Sequence, residues 1–234
     1  MAPAGSPRWL PYAAATNMNI HSVYAFIFRY TRRRRMRLFS RLFGETLARG
    51  GRLVDIGGYP ANWAYSRGGR RIVLVNIDFV NKRDPAFDYI IADARRLPFR
   101  DESFDIAFSN SVIEHVGDPG DQQEFASEAR RVGRGYFVQT PSRWFPIEPH
   151  LLTPLVHYLP PLWQRRLLRR CTVWGIMTKP APAEVDRFLA ETQLLTCSQM
   201  TRLFCSGVII KERVLGVTKS FIAVRQPEKL NSGA

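Results

Sequence analysis

Apolar positions along this chain follow two different periods. From Ile20 to Ala48 they recur three or four residues apart, with Met36, Phe39, Phe43 and Leu47 in line and Leu38 and Leu42 beside them. That spacing predicts a helix, which Gly50 and Gly51 end. Short apolar runs then take over. RLVDIGG, residues 52–58, reads as a buried strand with Asp55 near its end, running into a turn at Gly57 and Gly58 where the backbone can come close to a ligand. RIVLVNIDF predicts a second strand ending at Asp78, and DYIIADA a third ending in Asp93 and Ala94. FDIAFSNS, with Ser109 and Asn110 at its end, predicts a fourth, and GYFVQT a fifth.

Helical stretches separate these runs. A short helix is expected from Ala61 to about Ser66, broken by Gly68 and Gly69, and a longer one at DQQEFASEARRV, with Asp121 as its cap and Phe125, Ala129 and Val132 as its apolar stripe. Strands alternating with helices predict an α/β fold with an open, mostly parallel sheet and a ligand at the carboxyl ends of the strands. Residues 141–183 interrupt the alternation. Its prolines, among them Pro141, Pro146, Pro149, Pro154, Pro160, Pro161 and Pro180, argue against long regular elements, and the segment reads as a substrate-side insertion. Helices near Glu184–Glu191 and Gln199–Cys205 precede two strands, GVIIKERVLG and KSFIAVR, which read as a terminal hairpin.

Composition narrows the picture. The 234 residues, 45% hydrophobic, suffice for one core, and the domain boundaries expected are a leader and basic helix over 1–49, a main domain over 50–225 and a flexible tail over 226–234. The net charge of +14 comes mainly from arginine, in Arg32–Arg35, Arg95–Arg96, Arg130–Arg131 and Arg165–Arg170, and predicts an anionic partner. Three cysteines without metal-type spacing predict neither a disulfide framework nor a zinc site, and no apolar run reaches the ~20 residues needed to span a bilayer. A cytoplasmic setting, with peripheral membrane contact as an open extension, is therefore expected.

Two readings of the first basic helix stay open. In one it docks on the edge of the sheet and leaves its arginines in water; in the other it faces an anion or a membrane, with Tyr24, Phe26, Ile27, Phe28 and Tyr30 assisting. LPPLWQRRLLRRCTVW poses the same choice, since Arg165, Arg166, Arg169 and Arg170 gather by helical spacing near Trp163 and Trp174. Nucleic acid ranks lower, because the basic residues are dispersed and no recognised module accompanies them. Glu148, His150 and His157 lack standard metal-ligand spacing, so no metal is expected.

VDIGG, VNID and ADARRLPFRDESFDIAFSNSVIEHV together resemble the class I S-adenosylmethionine-dependent methyltransferases, in particular the methyltransferase type 11 group, over about residues 50–141. The resemblance implies a Rossmann-like, seven-stranded sheet with helices on both faces and a reversed strand from the terminal hairpin. It implies S-adenosylmethionine as cofactor, with Asp55, Gly57 and Gly58 in the first motif, Asp78 on the ribose, Asp93 and Ala94 beside the adenine, and Ser109 and Asn110 where the methionine portion and reacting methyl lie. Tyr59 and Ala61 stand where the family has its later glycines. A sulfonium cofactor has no phosphate, so a glycine turn poorer than G-x-G-x-x-G is chemically sufficient, whereas a dinucleotide would be poorly served.

The expected activity is methyl transfer to a small-molecule or lipid-linked acceptor. His115, after the fourth strand, is the candidate base for a hydroxyl acceptor, and a structural hydrogen-bonding role is its alternative. Arg143, Trp144 and His150 are the candidate acceptor contacts. The rival readings are a non-catalytic protein of this fold on anionic membranes and a nucleic-acid methyltransferase.

Overall fold

The first helix sets one face of the fold. In the computed structural model, which describes residues 20–63, 71–78, 84–148 and 153–227, α1 spans Ile20–Ala48 and ends in a Schellman turn, with Gly51 N donating to Thr46 O and Gly50 N to Leu47 O. Its stripe of Met36, Phe39, Phe43 and Leu47 is buried against the middle of the sheet. Phe39 meets Phe108 and Phe137, on adjacent central strands, at centroid distances of 5.1 and 5.4 Å. The helix therefore covers a face, where one of the two sequence readings had placed it on an edge, because aromatic side chains every fourth residue need a broad apolar surface to bury against.

The sheet is built from β1 (Leu53–Ile56), β2 (Ile72–Asn76), β3 (Phe87–Ile91), β4 (Phe104–Asn110), β5 (Gly133–Pro141), β8 (Val208–Val214) and β9 (Val217–Arg225). Its order is β3-β2-β1-β4-β5-β9-β8, seven strands in all. The first five are mutually parallel, and β9 enters antiparallel between β5 and β8, as the terminal hairpin predicts. Val54 and Ile56 face the second core, with Phe125, Ala126, Ala129 and Val132 of α2 (Pro119–Val132) and Met200 and Leu203 of α6 (Cys197–Leu203). Helices thus lie on both faces of a Rossmann-like sheet.

Several boundaries differ from the sequence reading. Asp118, not Asp121, caps α2: its carboxylate accepts from Gly120 N and Asp121 N, and Asp121 answers as the third residue of a capping box, with Pro119 at the first helical position. Of the helix expected from Ala61 to about Ser66, the described residues hold a 3-10 turn, Pro60–Trp63, and the remainder lies outside them. The region between β5 and α6 is more regular than its prolines implied. Besides the two-residue pair β6 (Ile147–Glu148) and β7 (Thr153–Pro154), it holds α3 (Pro161–Cys171), α4 (Val173–Thr178) and α5 (Pro182–Glu191). Pro161 and Pro182 open their helices, at positions where a missing N–H costs nothing. These helices share a small core of Val156, Leu168 and Val185, with Trp174 stacked on Phe188.

Phe39 is the contact through which α1 is held, being 1% exposed among Phe43, Trp63, Phe108 and Phe137. Phe39→Ala is expected to cost about 3–5 kcal/mol in a urea denaturation measurement. A loss below about 1 kcal/mol would mean that the helix adds little to the core.

Candidate active site

The carboxyl ends of β1 to β5 form one edge of the sheet, where successive loops diverge and a ligand can enter. At the end of β1 the chain turns at Gly57, φ +74°, whose N–H donates to Val75 O at 2.7 Å. A Cβ on Gly57 would lie 2.4 Å from a Val112 methyl, and one on Gly58 2.3 Å from the Asp55 carboxylate, so neither position admits a side chain. Tyr59 carries the chain onward, and its half-buried phenol lies beside Asn76 and Asp78. Burial raises the Tyr59 pKa, the Asn76 amide opposes this and the Asp78 charge adds to it. The side chain of Ala61 falls outside the described residues.

Asp55 turns toward the face covered by α1. It is fully buried, and its Oδ2 accepts from Trp63 Nε1 at 2.7 Å. Burial pushes its pKa up to about 7, against the Trp63 and Asn62 hydrogen bonds that favour the charged form. Asp78, two residues beyond β2, is exposed at the crevice. Asp93 and Ala94 follow β3 and are half-buried. The Asp93 carboxylate is gripped by Arg95, through Nε at 3.0 Å and a second nitrogen at 2.6 Å, and Arg95 also reaches Asp121 of α2 at 2.6 Å. Those bonds to Arg95 hold the Asp93 carboxyl below its usual range, with burial opposing them.

Ser109 and Asn110 end β4. The Ser109 hydroxyl donates to Ile56 O at 2.9 Å and so ties the end of β4 to the end of β1. Asn110 is held by a residue the sequence had placed in solvent. Arg35, from the run Arg32–Arg35, is 7% exposed and donates to Asn110 Oδ1 at 2.5 Å, to Gln139 Oε1 at 2.8 Å and to Glu212 of β8 at 2.6 Å. Ser111, with φ +57°, donates from its hydroxyl to Gln139 Oε1 at 3.0 Å and from its backbone to Gln139 O at 3.0 Å. Ser220 donates to Glu212, and Lys219 Nζ to Thr31 of α1 at 3.1 Å. Burial alone would raise the Glu212 carboxyl, but Arg35, Ser220 and Lys219 outweigh it and hold it below its usual value. Burial, then the Arg35 charge, push Lys219 down to about 8, with Glu212 opposing.

After β4 a 3-10 turn, Ile113–His115, faces the same edge. Glu114 is fully buried and accepts from Thr140 Oγ1 at 2.8 Å, while its carbonyl accepts from Gln193 N at 2.7 Å, an arrangement that pins the turn. His115 is half-buried on that turn. Arg143 and Trp144 follow β5 and are exposed, with the guanidinium 5.9 Å from the indole centroid and Trp144 stacked on Tyr158. His157 Nε2 lies 3.2 Å from Arg143 O. His150 and the side chain of Glu148 fall outside the described residues. Among the described residues no three His, Cys, Asp or Glu side chains gather as metal donors.

Arg35 had a readable signal. Residues 35, 39, 43 and 47 are spaced by four, so Arg35 continues the line of Phe39, Phe43 and Leu47 into the polar ends of β4 and β5. Glu212, its partner 177 residues away, had no local signal.

The family described as a methyltransferase domain matches residues 56–137, which run from the end of β1 into β5. Over that span the chain matches a methyltransferase domain. No curated protein matches it. Among solved structures, a possible exported protein from Bordetella parapertussis is similar over 92% of this chain and 75% of its own, with 14% identity and a TM-score of 0.54, a likeness of fold. A possible histamine N-methyltransferase from Thermotoga maritima aligns over 88% of this chain and 93% of its own, with 15% identity and a TM-score of 0.49. The 1,6-didemethyltoxoflavin-N1-methyltransferase of Burkholderia thailandensis, with 1,6-didemethyltoxoflavin and S-adenosylhomocysteine bound, aligns over 92% of each chain at 12% identity and a TM-score of 0.48.

S-adenosylmethionine is the cofactor that the methyltransferase domain implies, and the residues present suit it. The ends of β2 and β3 bring acids, Asp78 and Asp93, where a phosphate-bearing dinucleotide would want donors and positive charge, while Asp55 is buried against Trp63 beneath α1. A ligand with a sulfonium, an ammonium and a ribose diol matches that set of acceptors.

Two outcomes follow from this geometry. Arg35→Ala leaves Glu212 without its main counter-charge and is expected to cost about 3 kcal/mol of unfolding free energy, most of it recovered in the double variant Arg35→Met, Glu212→Leu. The raised Asp55 pKa makes the folded state bind the proton more tightly than the unfolded chain, so its stabilising contribution is full below about pH 4 and is lost as pH rises to about 7. Asp55→Asn is expected to flatten that fall when denaturation midpoints are measured across this range; an unchanged slope would place the titration elsewhere.

Proposed function

We propose that this protein transfers a methyl group from S-adenosylmethionine to a small-molecule or lipid-linked acceptor. The observation that carries the reading is the turn at Gly57 and Gly58, set beside the exposed Asp78, Asp93 with Ala94, and the Asn110–Ser111 end of β4 on one sheet edge, all within the matched span 56–137. Bound there, the cofactor supplies an activated methyl group, and the remaining work is alignment of the acceptor for an in-line displacement.

The chain's own residues divide that work. Asp78 accepts from the ribose hydroxyls, with the Tyr59 phenol beside it. Asp93 and Ala94 line the adenine side, and the Arg95 bridge from Asp93 to Asp121 fixes the loop after β3 against α2. Ser109 and Asn110 set the methionine end. Asn110 is a positioning residue as well, because Arg35 spends one donor on its side-chain oxygen and so fixes which way the amide points. His115, on the turn that Glu114 pins, takes the proton from a hydroxyl acceptor, and Arg143 and Trp144 contact the acceptor from the end of β5.

Calorimetric titration of the purified protein tests this reading. S-adenosylmethionine and S-adenosylhomocysteine are expected to bind with Kd in the micromolar range and NAD not to bind, with Asp78→Ala weakening the first two by at least about tenfold, the loss of one charge-assisted hydrogen-bonded contact. Absence of binding at millimolar S-adenosylhomocysteine would overturn it.

A further inference from the structure

The helices between β5 and α6 bury little and expose much. Leu168 is the one buried side chain of α3, and the helix's opposite face carries Leu162, Trp163, Arg166, Arg169 and Arg170, all exposed. Leu162 and Trp163 are 60% and 55% exposed, at the first turn of the helix. Further exposed apolar side chains flank α3 in the chain. Trp144, 63% exposed, stacks on Tyr158 just ahead of α3, and Ile176 of the adjoining α4 is 60% exposed. Large apolar side chains grouped in this way on a surface mark a contact rather than scatter.

The charge of the surface decides what it contacts. Neither α3 nor α4 holds an acidic residue, and in α3 the arginines share one face with leucine and tryptophan instead of lying opposite them. Arg165, near the edge of that face, pairs with Asp186 of α5, which leaves Arg166, Arg169 and Arg170 directed outward. Aliphatic Leu162 and Ile176 have no role against a phosphate backbone. At a lipid surface, by contrast, such side chains enter the acyl boundary, indoles sit at the headgroup level and guanidinium groups meet lipid phosphates. No helix among the described residues is long and apolar enough to cross a membrane, so the contact is one that lies on the bilayer.

We propose that the face formed by α3, Trp144, Tyr158 and Ile176 docks on the surface of bilayers containing anionic lipid. Docking leaves the core of the sheet untouched and places the loop after β5, with Arg143 and Trp144, against the headgroups. An acceptor resident in the membrane would then reach the site without leaving the bilayer; this last step alone rests on the methyl-transfer reading.

Co-sedimentation of the full chain with sucrose-loaded vesicles tests it, using pure phosphatidylcholine and an equal mixture of phosphatidylcholine and phosphatidylglycerol. Sedimentation with the acidic vesicles, weakened by added salt, is expected. Arg166→Gln, Arg169→Gln and Arg170→Gln should each lower the partition coefficient about fivefold. Leu162→Ser with Trp163→Ser should abolish sedimentation while the thermal unfolding midpoint stays unchanged. Absence of sedimentation with acidic vesicles, or sedimentation indifferent to these substitutions, overturns the proposal, as does light scattering that shows a dimer dissolved by the serine pair. Titration of the same preparation with S-adenosylhomocysteine reads the cofactor site separately, so loss of docking and loss of the methyl-transfer reading are told apart.

Discussion

A guanidinium taken out of water must be met by charge and by acceptors, and Arg35 is the place where this fold meets that demand. Its donors go to Glu212 on β8, Gln139 on β5 and Asn110 on β4. Each partner is available only when α1 lies on the sheet, when β4 and β5 end in register, as the pairing of Asn110 with Gln139 shows, and when the terminal hairpin brings β8 back beside β9. A single ion thus checks three separate elements. Buried ion pairs of this kind are weak sources of net stability and strong penalties when half-made. Its value here is geometric: the same bonds that satisfy the arginine orient the end of β4.

The interior around that ion is aromatic. Phe39, Phe43, Trp63, Phe108 and Phe137 form a continuous cluster beneath the strand ends, with Phe108 and Phe137 stacked at an interplanar angle of 6°. Such a cluster gives the polar layer a stiff floor, since close-packed rings leave little room for adjustment. It also excludes water from Asp55, whose carboxyl is consequently easier to protonate than an acid in solvent. Among the described residues, Asp78 and Asp93 stand at the strand ends, the arginines of α3 are exposed, and Arg35 is drawn into the interior.

Much of this was legible in the sequence because periodicity reports on local surroundings. Strands β1 to β5, the terminal hairpin and the extent of α1 follow directly from apolar spacing, and the glycine turn with Asp78, Asp93 and Asn110 follows from where those strands stop. The misses share a cause. Asp121 is as good a cap as Asp118 until Pro119 is recognised as the first helical residue. The prolines of 141–183 count against helices only in helix interiors, and Pro161 and Pro182 stand at helix starts. Arg35 was taken with its neighbours as solvated because charge was weighed ahead of its place in the four-residue line to Phe39. Its partner Glu212 could not be read at all, since a contact across most of the chain leaves no local trace.

That long reach carries a consequence for how the chain matures. Synthesis runs from the amino end, so α1 leaves the ribosome early, and Arg35 waits for an acid 177 residues downstream. Until then the aromatic stripe of α1 and the polar ends of β4 and β5 can meet only around an uncompensated ion, which disfavours their premature closure. Strand β9 must also insert between β5 and β8, so the order of the sheet is not complete until the last strand is threaded. Pairings of such high sequence separation are slow to form. The first helix and the last hairpin thus complete one ion pair between them, and neither supplies it alone.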